Sequence, residues 1–170
     1  MVASRGEHEL EPEIADLWAM DDDMARIAAA EQLVAQHRDD PRLAFELAGA
    51  HDAAGDPATA IGLYEKALSG GLREPQRHRA QIQSASTLRN LGEPERALAL
   101  LDEVDVTYPG NVAVAAFRAL VLVDLGRPDA AVADLVDSLV DHAADEDAAA
   151  YRRALHGYAA RLRVGVPPPE

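Results

Sequence analysis

The sequence predicts an all-α fold: a right-handed solenoid of antiparallel helix pairs, with about three and a half repeats and a C-terminal capping helix. One turn is written three times, as Gly55-Asp56-Pro57, Gly92-Glu93-Pro94 and Gly126-Arg127-Pro128, and each is followed by an alanine at the same offset, Ala60, Ala97 and Ala131. The glycines lie 37 and 34 residues apart, and a fixed period of this length marks a repeat array. Apolar spacing is helical throughout, with no sustained period-two run. Hydrophobic residues make up 48% of the chain and aromatics only 4%. A core of Ala, Leu and Val suits close helix packing and poorly suits a β-sandwich.

Each Gly-x-Pro can close one helix and open the next, because glycine takes the left-handed conformation past a C-terminus and proline is tolerated at a first helical position. The first long helix is expected from Asp23 to about His37. Asp40 caps a second that starts at Pro41 and runs to about Ala54, and Asp56 caps a third from Pro57 to Leu68. Pro75 to Leu91 follows, then Pro94 to about Val106. Asn111 caps Val112 to Leu125, and Pro128 opens a helix to Val140. Asp145 caps a last helix reaching about Val164, which Pro167-Pro168-Pro169 stops. Glu93 and Arg127 are poor caps, so those two turns rest on the glycine, the proline and the extended bias of a residue before proline.

These residues resemble the tetratricopeptide repeat family. Ala60-x3-Tyr64 with Ala67 matches its second-helix pattern well, Ala97-x3-Leu101 with Val104 moderately, and Ala131-x3-Leu135 with Ser138 less so. Ala48, Ala85 and Ala119 fill the small position of each first helix. Pro109 lies twelve residues after Ala97, as Pro41 does after Ala29, which exposes an earlier degenerate unit around Ala29-x3-Leu33. The family's early tryptophan is replaced by Ala44, Gln81 and Ala115, and its later tyrosine by His51, Leu88 and Leu122. The segment 86–92 is similar to one in small stand-alone bacterial members. The resemblance covers about residues 22–140, and the chain is expected to divide into an acidic segment at 1–21, partly disordered or a short helix, and a helical domain over 22–164. That domain divides into a half-repeat at 22–40, repeats at 41–77, 78–111 and 112–144, and a capping helix at 145–164; residues 165–170 form a proline-rich tail.

Composition narrows the function. There are no cysteines, which excludes disulfides, thiol catalysis and thiolate metal sites. The net charge of −14 argues against nucleic acid or an anionic membrane as partner, because both are bound through Lys and Arg. Residues 1–40 hold 11 acids and 3 bases, a pattern usual for a solvated surface. No segment approaches the roughly 20 apolar residues of a membrane span. Glu7, Glu9, Glu11 and Glu13 are the opposite of a signal peptide's basic start, so a cytoplasmic location is expected. His37 with Asp39 and Asp40, and Asp21-Asp22-Asp23, are explained by solvation and capping rather than by a metal. His142 and His156 have no partners evident in the sequence. No phosphate loop or nucleophile elbow appears, and no cofactor or enzymatic activity is expected.

In a stacked-pair solenoid the first helix of each pair lines a concave face. Spacings of three and four place Arg42, Phe45, Gly49 and Asp52 on one stripe. Arg79, Ile82, Ser86 and Arg89 form a second, with Gln83 and Asn90 alongside. Ala113, Ala116, Leu120 and Val123 form a third, with Asp124 at its edge. The family resemblance implies a protein or peptide segment in this groove, held by polar Arg79, Gln83, Ser86, Arg89 and Asn90 and apolar Phe45, Ile82 and Leu120. An acidic segment would suit the arginines, since a guanidinium holds a carboxylate with two hydrogen bonds. Alternatively Arg42, Arg79 and Arg89 pair with Glu46, Asp52 and Asp124. The acidic N-terminus could itself fill the groove. Val112 to Leu125 is apolar nearly all round, so its groove face needs a cover: the C-terminal helix, a partner, or a second copy in a homodimer. Tyr151, Leu155, Tyr158 and Leu162 read as a capping stripe, with Arg152, Arg153, Arg161 and Arg163 solvated.

Overall fold

Asp22, Asp40, Asp56, Asn111 and Asp145 each hold a helix start. Their side-chain oxygens accept from the backbone N–H of Ala25, Arg42, Thr59, Ala113 and Ala148 at 2.8 to 3.1 Å. The structure, a computed structural model, describes residues 10–165. Among the described residues it contains nine helices and no strand. These are α1 (Glu11–Trp18), α2 (Asp23–Gln36), α3 (Pro41–Ala53), α4 (Pro57–Ser69), α5 (Gln76–Asn90), α6 (Pro94–Thr107), α7 (Val112–Asp124), α8 (Pro128–His142) and α9 (Glu146–Arg163). Glu7, Glu9 and the proline tail lie outside the described residues. α1 packs on α2, α2 on α3, α3 on α4, α6 on α7, α7 on α8 and α8 on α9, and the fold is an all-α solenoid.

The thrice-written turn closes α3, α5 and α7 in the same way. Gly55, Gly92 and Gly126 have φ of 78, 77 and 69°. Behind each, the following residue donates its N–H five residues back: Asp56 to the His51 carbonyl, Glu93 to Leu88 and Arg127 to Leu122. The glycine N–H reaches three back, to Asp52, Arg89 and Val123. This pair of bonds satisfies carbonyls the helix leaves without partners. A Cβ at these glycines would meet nothing within 4 Å. The cost of alanine there is therefore the left-handed backbone alone, about 1–2 kcal/mol. Glu93 and Arg127 make no side-chain cap bond, as expected. Gly70-Gly71 follow α4, and Leu72 just after them enters the core cluster that holds Tyr64.

Two compact units divide after Thr87, within α5. In the first, Ala48 of α3 and Ala60 of α4 are fully buried and let the two helices approach closely. Tyr64, Ala67 and Ala80 complete that cluster. α1 packs with α2 and α3: Leu17 joins Ile27, Ala30 and Leu47, while Leu10 and Ile14 meet Leu43. In the second unit, Ala119 and Leu122 of α7 meet Ala131 of α8.

α9 packs along α8, and three side chains expected to be solvated or unpartnered fasten it there. Arg163 binds Asp134 at 2.9 Å and Asp137 at 2.6 Å. His156 sits between Asp137 at 2.6 Å and Asp141 at 3.2 Å, and Arg152 reaches Asp141 at 3.0 Å. These partners are 11 to 29 residues apart in sequence, so local spacing could not reveal them. The expected capping stripe is only partly formed. Ala159 is buried and Leu155 and Leu162 are half-buried, but Tyr151 and Tyr158 face solvent. Nor does α9 cover α7, where Leu120 and Val123 remain 46% and 53% exposed.

The hydrogen bond with Asp137 raises the His156 pKa above its ordinary value of 6.5; burial opposes this, and the charge of Asp141 adds to it. Burial pushes Asp137 up, but hydrogen bonds from His156 and Arg163 outweigh it and hold its carboxyl below the usual range. A raised histidine pKa contributes stability that is fully present below the unfolded value of about 6.5 and lost as pH rises through the folded one. Amide hydrogen exchange in α9 should therefore be slower at pH 6 than at pH 9 relative to α4, and His156→Ala should remove the difference.

Candidate functional site

In the first unit, α1, α3, α4 and the middle of α5 surround a pocket of about 270 Å³. Its lining includes Trp18, Phe45, Gly49, Asp52, Tyr64 and Gln83. Trp18, the chain's single tryptophan, is positioned by its indole N–H, which donates to Glu46 Oε2 at 2.6 Å. Arg26 lies over the ring at 5.3 Å, close enough for a cation–π contact. Gly49 makes room for the indole, since a Cβ there would lie 3.1 Å from Trp18 Cζ2. Phe45 meets the Tyr64 ring at 6.1 Å between centroids, tilted by 51°.

Charges around the pocket are unevenly matched. Glu46 is buried, and its carboxylate is filled by Trp18 and by Arg42 Nε at 2.6 Å. Arg42 also reaches Glu11 of α1 at 3.3 Å, so one N-terminal acid does meet a basic side chain of this face. Asp52 has no such cation among the described residues. Its contact is the Thr87 hydroxyl at 3.3 Å, and that hydroxyl also lies 2.9 Å from the Gln83 carbonyl. One hydroxyl carries one proton, and the shorter contact leaves Asp52 weakly served. Burial raises the Asp52 pKa, with the Thr87 contact opposing it. The Tyr64 hydroxyl is fully buried and has no hydrogen-bond partner among the described residues. Burial, then the charges of Asp52 and Glu46, raise its pKa.

The residues expected to line the groove fall in several environments. Phe45 and Gln83 are brought together at the pocket. Arg79 is exposed and makes no ion pair among the described residues, Ser86 is half-buried, and Ile82 is buried. In the second unit Arg89 forks onto Asp124 at 2.5 and 3.2 Å, beside exposed Asn90 and Leu120. Trp18 and the Tyr64 hydroxyl were not anticipated as site elements. The one available signal for Trp18 was a lone tryptophan ending a short acidic segment. A second pocket of about 210 Å³ lies against Arg118, Asp134, Asp137 and Arg163. Both of its arginines are engaged internally, because Arg118 pairs with Asp102 and Asp134, and Arg163 with Asp134 and Asp137. Among the described residues no group of three or more acids and histidines is placed to hold a metal ion, and no helix is long and apolar enough to cross a membrane.

Residues 41–162 match the family described as Tetratrico peptide repeat. The chain belongs to the tetratricopeptide repeat family. Two solved structures share its fold: "MamA 41-end from Desulfovibrio magneticus RS-1", and the "MamA RS-1 ArsTM double mutant". The first has a TM-score of 0.66 and 15% identity, covering 96% of this chain and 94% of that one. The second has a TM-score of 0.64 and 14% identity, covering 96% and 93%. No curated protein matches the chain. Tetratricopeptide repeats form protein–protein interaction or scaffold modules and are generally non-catalytic, which sets the broad class of this chain.

Glycine inside a helix costs about 1 kcal/mol relative to alanine. Gly62 in α4 has open space around its Cβ position, whereas Gly49 has Trp18. Gly62→Ala should raise the denaturant midpoint. Gly49→Ala should lower it and shift Trp18 fluorescence, because the indole must move.

Proposed function

We propose that the chain is a non-catalytic interaction module that binds a peptide or protein segment on the face formed by α3 and the first part of α5. One observation carries this reading: a pocket with aromatic walls lies beside exposed Gln83 and, one turn before it, exposed Arg79, which makes no ion pair among the described residues. Pockets with apolar walls and a few converging polar groups are the usual form of a binding site. Arg42 and Arg89 already hold Glu46, Glu11 and Asp124, which leaves Arg79 as the arginine of the expected set best placed to meet a ligand. Ser86 supplies a further polar contact. The reading is tested by panning a random peptide library on the full chain. Selected peptides should bind Arg79→Glu/Gln83→Arg at least tenfold more weakly, a loss of about 1.4 kcal/mol. Equal affinity for the double variant would remove the assignment.

A second reading is favoured by the uncovered stripe of α7. Val112, Leu120 and Val123 are exposed on one helix, alongside Ala113 and Ala116, and an apolar patch of this kind marks an interaction site. Here the occupant is a second copy of the chain. Light scattering should show mass rising with concentration from 18.2 kDa. Leu120→Asp, at an exposed position, should fold normally and hold the mass at the monomer value. A wild-type mass independent of concentration would remove this reading.

A further inference from the structure

The pocket of the first unit has a charge preference opposite to the one expected of the groove. Its unmatched groups are all acceptors, or groups able to act as acceptors. Asp52 is half-buried and acidic, served only by a shared hydroxyl proton. The Tyr64 oxygen is buried without a hydrogen-bond partner among the described residues. Gln83 presents an exposed amide at the same rim. Among the basic side chains nearby, Arg42 holds Glu46 and Glu11 and Arg26 holds Asp23 and the Met20 carbonyl, while Arg79, which makes no ion pair among the described residues, does not line the pocket. An incoming carboxylate would meet the like charge of Asp52, with only the Gln83 amide N–H and the Tyr64 O–H to offset its desolvation and no cation among the lining residues. An incoming cation would meet a carboxylate, a hydroxyl oxygen and an amide oxygen.

We propose that this pocket receives a lysine side chain of the bound segment, with its ammonium held by Asp52, Tyr64 Oη and Gln83 and its methylenes lying against Trp18 and Phe45. An ammonium has three donors and no acceptor, which suits three acceptors around one cavity. The aromatic walls add to the fit, since ring faces attract a cation, Trp most strongly. A lysine stem is apolar and buries readily behind its charged head. Size agrees as well. The volume of about 270 Å³ lies just below the roughly 300–1,000 Å³ usual for small-molecule sites, so one inserted side chain fills it better than a cofactor. The chain's net charge of −14 favours the approach of a basic segment over long range. Phe45 then acts as a wall, and Gly49 is the opening that keeps Trp18 at the pocket's edge.

This inference rests on the peptide-binding reading only for the source of the lysine, and its test is independent of that source. Trp18 is the only tryptophan, so its fluorescence reports the pocket directly. The full chain is titrated with capped five-residue peptides, Ala-Ala-X-Ala-Ala, in which X is lysine, arginine, norleucine or glutamate. The lysine peptide should saturate the signal with at least about tenfold tighter binding than norleucine, the same stem without the charge. Glutamate should bind no better than norleucine. Asp52→Asn, an isosteric change, should erase the lysine preference while circular dichroism stays unchanged. Tyr64→Phe should weaken lysine binding several-fold without lowering thermal stability. Equal responses to lysine and norleucine, a lysine preference that survives Asp52→Asn, or tighter binding of arginine than lysine would each overturn the proposal. Library peptides that bind the face while every lysine probe fails would remove the pocket chemistry and leave the binding face standing.

Discussion

The close crossing of paired helices at alanine is the constraint on which the rest of the structure depends. Ala48 and Ala60 are fully buried where α3 meets α4, and Ala119 meets Ala131 where α7 meets α8. Helix axes pack about 8–10 Å apart according to the side chains between them, and a methyl group sets the short end of that range. A larger residue at any of these positions would push the helices apart and open voids around it, with overpacking costing typically 1–3 kcal/mol. The turns serve the same constraint. A Schellman closure at Gly55, Gly92 or Gly126 followed by proline reverses the chain in the fewest residues, so the two alanines arrive opposite each other. Everything outside the crossing is freer, and there the chain departs from its family's usual residues.

In the second unit, ion pairs between helices add to the order that the crossings set. Arg118 of α7 ties Asp102 of α6 to Asp134 of α8, and Arg163 of α9 takes Asp134 and Asp137. Arg89 holds Asp124. A single exposed pair contributes at most about 1 kcal/mol, but shared carboxylates make a network in which one acid fixes two helices. In a chain of 30 acids and 16 bases, arginine is the scarce partner and acid is in excess. Most arginines near the binding faces are therefore neutralised in place, and an unpaired carboxylate such as Asp52 is the group left to meet a ligand.

The helices were legible in the sequence because their ends are local. Asp40 before Pro41, Asn111 before Val112 and Gly55 before Asp56-Pro57 each fix a boundary within three residues of chain, and the observed starts agree. α1 was harder to read. Its N-cap is Leu10, without a side-chain bond, and it is held by contacts of Leu10, Ile14 and Leu17 with α2 and α3. The site was half legible. Helical spacing put Phe45, Gly49 and Asp52 on one stripe, and the structure places all three at the pocket. Spacing could not show that Arg42 and Arg89 are already paired, that Trp18 leans over Gly49, or that α9 is bound to α8 through His156 rather than laid over α7. Each of those depends on partners far away along the chain.

Tyr64 shows why the pocket reads as more than a packing gap. Its ring closes the crossing of α3 and α4, a role phenylalanine would fill equally well in the same volume. The hydroxyl adds a buried group without a partner, and such a group costs about 1–3 kcal/mol. Asp52 adds a half-buried carboxylate whose pKa burial raises, a second local conflict at the same place. Conflicts of this kind gather where function opposes stability. Here the two lie on the walls of one cavity, and a single incoming donor would relieve both.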